Sequence, residues 1–182
     1  MEIKACTIMG FGKFHRRSFS FSDGIHVIYG ENEAGKTTLR TFLVSMLFGI
    51  DRKRGAASKK DEFHKYQPYM GGIYGGSLDF SFQGEDYQIQ RDFSNGKDIV
   101  IYETAMGKKV LEGQEPSGNL FSMTKEGFLQ TLCISQGAMK TDKSLSQMIK
   151  NYMANMCQSK TTDVNVEKAI SYLRREIRRS QK

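Results

Sequence analysis

One octapeptide constrains this chain more than any other feature. Gly30-Glu31-Asn32-Glu33-Ala34-Gly35-Lys36-Thr37 fits the pattern G-x-x-x-x-G-K-[ST] and sits between two contrasting periodicities. Before it, Ile25-His26-Val27-Ile28-Tyr29 is a nearly continuous apolar run, which predicts a short strand covered on both faces. After it, Leu39, Phe42, Leu43, Met46 and Leu47 follow the i, i+3, i+4, i+7, i+8 stripe of an amphipathic helix closed by Gly49. Strand, glycine-bounded loop and helix in that order make a phosphate cradle. Successive backbone N–H groups and the positive end of the helix answer the negative charge of a triphosphate. Glycine at 30 and 35 lets main chain approach the phosphates with no Cβ in the way.

The pattern assigns roles to its residues. Gly30, Asn32, Glu33, Ala34 and Gly35 line the cradle, Lys36 bridges the β- and γ-phosphates, and the Thr37 hydroxyl ligates Mg²⁺. Thr38 offers a further hydroxyl and N–H toward the α-phosphate. A nucleoside triphosphate and Mg²⁺ are therefore the expected ligands, ATP being the one that the resemblance given below implies, with Lys36 the expected catalytic cation. A chance glycine-rich turn before a helix would not carry the strand, the spacing, the Lys and the Thr together.

The remainder reads as α/β. Residues 2–9 and 16–21 alternate as strands about a Gly10-Phe11-Gly12 turn, an antiparallel hairpin. Residues 50–70 lose periodicity and read as a loop. Three strand-like segments follow, at about 73–83, 86–93 and 98–104, with Gly84-Glu85 and Asn95-Gly96 at the turns. They form a meander over 72–104. Residues 105–122 are turn-rich, and helix is expected near 124–133 and again from about 144 to 156. The final helix spaces Val166, Ile170, Leu173 and Ile177 by 4, 3 and 4, the a/d pattern of a coiled coil. We therefore divide the chain into a lobe over 1–157 and a linker plus the start of a helical arm over 158–182.

Charge and cysteine usage bound the setting. The net charge of +7 is concentrated in two segments. Residues 51–65 hold six Lys or Arg against three acids, and residues 164–182 hold six against two. Such patches suit a polyanion such as double-stranded DNA, although a charge run can equally be a solvated face. No run approaches the eighteen apolar residues of a membrane span, and Met1-Glu2-Ile3-Lys4 lacks a signal peptide's apolar stretch. Cys6, Cys133 and Cys157 are odd in number and widely spaced, which fits a reducing cytoplasm. Cys133 is expected to be buried and inert, and His26 to be a packed histidine within its strand.

The carboxylates of an ATP hydrolase are not legible. Leu78-Asp79 and Ile99-Val100-Ile101-Tyr102-Glu103 lie in the meander and lack the Asp-Glu ending of a Walker B strand, and no LSGG-like signature occurs. A kinase or GTPase is disfavoured by the antiparallel strands that follow the P-loop helix and by the lack of an NKxD-like base reader. Two explanations remain. The chain is a complete, non-hydrolysing, nucleotide-gated adaptor, or it is the first half of a split ATPase.

A resemblance favours the second. Met1–Phe14 with its GFGKF turn, Gly24 through Leu39 and Met46-Leu47-Phe48-Gly49 resemble the amino-terminal lobe of YhaN/SbcC-type ATPases, the SMC-like, ABC-class heads. Tyr66-Gln67-Pro68-Tyr69, Gly75 through Phe80 and Gln90-Arg91-Asp92-Phe93 continue it, and Phe128 through Gly137 resembles the Q-loop. The resemblance covers about 1–140 and implies a P-loop NTPase half-head with an antiparallel β-subdomain and a helical arm. It also implies a carboxy-terminal lobe returning after a long coiled coil to supply signature, Walker B and switch histidine. Gln136 would then reach Mg²⁺ and the γ-phosphate or lytic water, while Lys13 would stand in for the arginine that helps hold nucleotide in related heads. The implied partners are that lobe, a second head in a homodimer, DNA, and an SbcD-like calcineurin-type phosphoesterase, acting in DNA repair or chromosome maintenance in the cytoplasm.

Overall fold

A computed structural model describes residues 1–52, 61–95, 98–116, 120–121 and 123–133. The expected helix over 144–156, the heptads of 166–177, the basic segment 164–182, Cys157 and Gln136 lie outside the described residues, as does the boundary at 157. The chain divides into two compact units, Met1–Lys125 and Glu126–Lys182.

The first unit is built on one antiparallel sheet. Strands β1 (Glu2–Phe11), β2 (Phe14–Ser20), β3 (Gly75–Phe82), β4 (Glu85–Asp92), β5 (Asp98–Glu103) and β6 (Lys108–Glu112) lie in the order β2-β1-β3-β4-β5-β6. Period-two alternation explains its two faces. Phe19, Cys6, Leu78, Ile89, Ile101 and Leu111 are Cα partners in turn, an apolar row crossing all six strands. One residue along, Ser18, Thr7, Ser77, Gln90, Val100 and Glu112 make a mainly polar row that faces the other way. The hydroxyls of Thr7 and Ser18 lie 3.1 Å apart within it.

Helix α1 (Lys36–Phe48) covers the apolar face, with Leu39, Phe42, Met46 and Leu47 buried alongside Cys6, Ile8, Leu78, Phe80, Ile89 and Ile101. Phe11 is the hub, with ring centroids 5.0 Å from Tyr66, 5.3 Å from Phe42, and 5.7 Å from both Tyr74 and Phe93. A second cluster joins Phe121 to Phe48, Phe80 and Phe82. Burial pushes the Cys6 thiol up to about 11. Burial likewise raises the Tyr74 phenol, against the opposing pull of Arg52, and its hydroxyl donates to the Phe63 carbonyl at 2.9 Å.

Several expectations meet the structure differently. The hairpin forms, but β1 runs on to Phe11 and the turn is Gly12-Lys13. Because β1 also pairs with β3, hairpin and meander share one sheet instead of forming a separate core sheet and subdomain. The meander gains β6 from a stretch read as turns, since Val110 and Leu111 extend the ladder by one strand. Among its described residues the loop over 50–70 contains a helical turn, α2 (Glu62–Lys65), capped by the buried Asp61 accepting from the His64 backbone N–H. Helix α3 (Lys125–Thr131) ends before Cys133, which is half-buried rather than enclosed.

The sharpest correction concerns 25–29. These residues form no strand, and Ile25, Val27 and Tyr29 are 97%, 86% and 93% exposed. A central strand needs neighbours on both sides for its backbone groups. The described strands satisfy one another in the antiparallel sheet, and none of them flanks this run. His26 is exposed as well; its ring meets Phe21 edge-on and its Nε2 donates to the Ser22 carbonyl.

Candidate nucleotide-binding site

The loop between 30 and 35 closes through a bond from the Ala34 N–H to the Glu31 carbonyl at 3.2 Å. Glu33 has φ +64° and Gly35 φ +109°, so the chain swings into the left-handed region at two positions that flank Ala34. Alternation of this kind turns successive amides toward one side, the geometry of an anion-binding nest. Glycine is required at 35 for its φ and also because an added Cβ would lie 2.6 Å from Phe14 Cζ. At 30 an added Cβ would lie 2.9 Å from the Ala34 methyl.

Helix α1 starts at Lys36 with Gly35 as its cap, without a side-chain capping bond and without an acidic residue in its first turn. Its first ladder bond runs from Leu39 N–H to the Gly35 carbonyl at 2.9 Å. The amides of Lys36, Thr37 and Thr38 therefore stand outside the ladder at the positive end of the dipole. The contrast with α2, where Asp61 fills the same position, is informative. The long helix keeps its N-terminus open to an external anion.

The side chains gather at the same place. Lys36 Nζ donates to the Gly30 carbonyl at 2.5 Å and to the Glu31 carbonyl at 2.7 Å, which holds the ammonium group over the loop. Thr37 is exposed and Thr38 half-buried, with its methyl 3.2 Å from where a Cβ at Gly12 would be. Lys13 Nζ donates to the Glu33 carbonyl at 2.5 Å. Of the expected residues, the structure brings together Gly30, Asn32, Glu33, Ala34, Gly35, Lys36, Thr37, Thr38 and Lys13. Phe14 is the participant that sequence reasoning missed. It lies 21 positions from the glycine it covers, and no spacing rule links them.

These groups fit a magnesium–triphosphate. Mg²⁺ is commonly held by one or two protein oxygens with phosphates and water completing the shell, so a single exposed Thr37 hydroxyl suffices. No cluster of three or more His, Cys, Asp or Glu able to hold a metal occurs among the described residues. A cavity of about 450 Å³ lies elsewhere, lined by Thr7, Ser77, Gln90, Asp92 and Glu112 among others. Asp92 and Glu112 make it unsuited to a polyphosphate, and Arg91 at its edge is held by Glu115. No described helix is long and apolar enough to cross a membrane.

Comparison with known proteins agrees with this geometry. The model of the AAA domain family matches residues 5–182. The chain is 44% identical over 80 residues to YhaN of Bacillus subtilis, covering 43% of this chain and 7% of that protein. It is 25% identical over 165 residues to the DNA double-strand break repair Rad50 ATPase of Pyrococcus abyssi, covering 84% of this chain and 18% of the relative. With the Rad50 ATPase of Archaeoglobus fulgidus the identity is 30% over 111 residues, 61% of this chain and 11% of the relative. The chain thus spans less than a fifth of each of these relatives. A glycine-bounded loop leading into an uncapped helix end, joined to matches of this extent, places the chain in the AAA domain family, as a YhaN/SbcC-like, SMC-type ATPase amino-terminal region.

Proposed function

We propose that this chain is the ATP-binding amino-terminal half of an SMC/SbcC/YhaN-like ATPase head acting in DNA repair or chromosome maintenance. The observation that carries this reading is the solvent-exposed run Ile25–Tyr29, whose β-branched and aromatic residues lead straight into the phosphate loop. A run of this composition is suited to a sheet interior. Strands supplied by a carboxy-terminal lobe would bury it and fix the approach to Gly30.

In this reading the loop amides and the N–H groups of Lys36, Thr37 and Thr38 bind the phosphates. Lys36 exchanges the Gly30 and Glu31 carbonyls for β- and γ-phosphate oxygens, so that its charge follows the substrate. Mg²⁺ would supply charge neutralisation when bound, and Thr37 and Gln136 are the residues of this chain that would hold it. Gln136, by the family resemblance, would reach the γ-phosphate or lytic water. Two heads engage around ATP and hydrolysis releases them. The relatives named for DNA double-strand break repair support a DNA partner, and the basic segments 51–65 and 164–182 suit its phosphates.

The test is ATP turnover of the 182-residue chain alone and beside a carboxy-terminal lobe, with Lys36→Ala as control. The expectation is ATP binding but negligible turnover alone, turnover on adding the lobe, and loss of both with Lys36→Ala. Rapid hydrolysis by the isolated chain would overturn the split-head reading, and an unchanged binding-only behaviour beside the lobe would favour the nucleotide-gated adaptor.

A further inference from the structure

We propose that Lys13 is a positioning residue of the phosphate loop, holding Glu33 in its left-handed conformation, instead of a direct contact to the nucleotide. The proposal rests on the reading of this loop as the nucleotide site and names how the loop is kept in shape. Two consecutive residues, the last of the β1–β2 turn and the first of β2, grip two alternate positions of the loop. Lys13 bonds the carbonyl of residue 33, and the Phe14 ring covers residue 35. Those two positions are the ones with positive φ.

They differ in what they need. Gly35 reaches positive φ without strain, whereas Glu33 carries a Cβ and is disfavoured there unless its surroundings hold it. The bond from Lys13 Nζ to the Glu33 carbonyl fixes that peptide unit from outside the loop. The turn that presents Lys13 is itself anchored. The Gly12 N–H donates to the Tyr66 carbonyl at 2.6 Å, and the Gly12 carbonyl accepts from the Tyr69 N–H at 3.4 Å. Tyr66 is in turn buried and stacked on Phe11. The aromatic hub therefore reaches the loop through Gly12 and Lys13. Lys36 has a different assignment, because its ammonium group takes the carbonyls of Gly30 and Glu31, leaving that of Glu33 to Lys13.

A double-mutant cycle separates a clasp from a phosphate contact. The full chain is titrated with a fluorescent, slowly hydrolysed ATP analogue and Mg²⁺ as wild type, Lys13→Ala, Glu33→Gly and the double variant. Lys13→Ala alone is expected to weaken binding about tenfold, as release of a strained left-handed residue implies. Glu33→Gly supplies the reference background for the cycle, because glycine takes positive φ unaided. In the Glu33→Gly background the Lys13→Ala loss should shrink to less than about twofold. A tenfold loss that persists in that background overturns the proposal, because it would mean that the ammonium group acts on the nucleotide.

A second measurement needs no nucleotide. Hydrogen exchange at the Ala34 amide, bonded to the Glu31 carbonyl, should quicken about tenfold in Lys13→Ala and be insensitive to Lys13→Ala once residue 33 is glycine. Equal exchange in wild type and Lys13→Ala sinks the clasp whatever the chain binds. Failure of the wild-type chain to bind the analogue, with the exchange effect intact, would instead count against the nucleotide reading.

Discussion

The ring of Phe14 closes over Gly35 so tightly that a methyl group at position 35 would lie 2.6 Å from Phe14 Cζ. Gly35→Ala therefore meets two penalties, a steric one and a conformational one, since φ at this position is +109°. Nucleotide affinity should fall by at least about tenfold, corresponding to the roughly 1–2 kcal/mol disfavouring of a left-handed L-residue. Combining Gly35→Ala with Phe14→Ala should recover only the steric part. Full recovery in a calorimetric titration would show that backbone conformation is irrelevant here.

The Arg91 guanidinium holds Glu115 with two parallel bonds, 2.8 Å from Nη1 to Oε1 and 2.7 Å from Nη2 to Oε2. The Arg91 side chain is 5% exposed and that of Glu115 is 44% exposed. Arg91 Nε is also buried with no hydrogen-bond partner among the described residues. Removing the acid leaves a buried cation, so Glu115→Ala should destabilise the fold by about 2–3 kcal/mol, less than a fully enclosed pair because water reaches the carboxylate. Arg91→Met should be milder, since no charge is stranded. Urea unfolding of both variants checks the order, and a reversed order contradicts it.

The backbone amides of Ile25, Val27 and Tyr29 should exchange rapidly in the isolated chain, given their exposure. A carboxy-terminal lobe added in trans should protect them by at least about a hundredfold as they enter a sheet. Val27→Lys with Tyr29→Lys should leave the isolated chain folded and block that protection. Exchange that stays rapid beside a lobe that restores turnover would assign the contact to another surface.

Cys6 gives a pH signature. Its thiol is pushed from an ordinary value of 9.0 up to about 11 because burial penalises the thiolate. The unfolded chain releases this proton first as pH rises. The contribution is therefore fully present below pH 9 and is lost between about 9 and 11. Native Cys6 should resist alkylation at neutral pH, and the pH dependence of the urea midpoint above 9 should flatten in Cys6→Ala. Fast alkylation under native conditions would place the thiol at the surface.

Much of this molecule is legible locally. The glycine pattern over 30–37, the helical stripe from Leu39 to Leu47 and the period-two alternation of Leu78, Phe80, Ile89 and Ile101 each announce an element. The missed strand β6 shows the limit. Lys108–Glu112 has too few apolar residues to stand out, and it is a strand because β5 offers it an edge. The apolar run at 25–29 shows the converse, with strong strand composition and no flanking strand among those described.

By itself, then, the sequence determined the first hairpin, the strands of the meander up to residue 104, and the glycine-bounded loop that opens a helix at Lys36. These are matters of neighbouring residues and short periods, which backbone sterics read directly. Tertiary structure alone decided that β1 pairs with β3 to merge hairpin and meander, that Arg91 reaches Glu115, and that Lys13 and Phe14 close on positions 33 and 35. Each of these contacts joins residues 20 or more positions apart, as Lys13 and Glu33 illustrate. Which of many compatible groups meet is settled by how the whole chain closes on its core, a choice that no local pattern encodes.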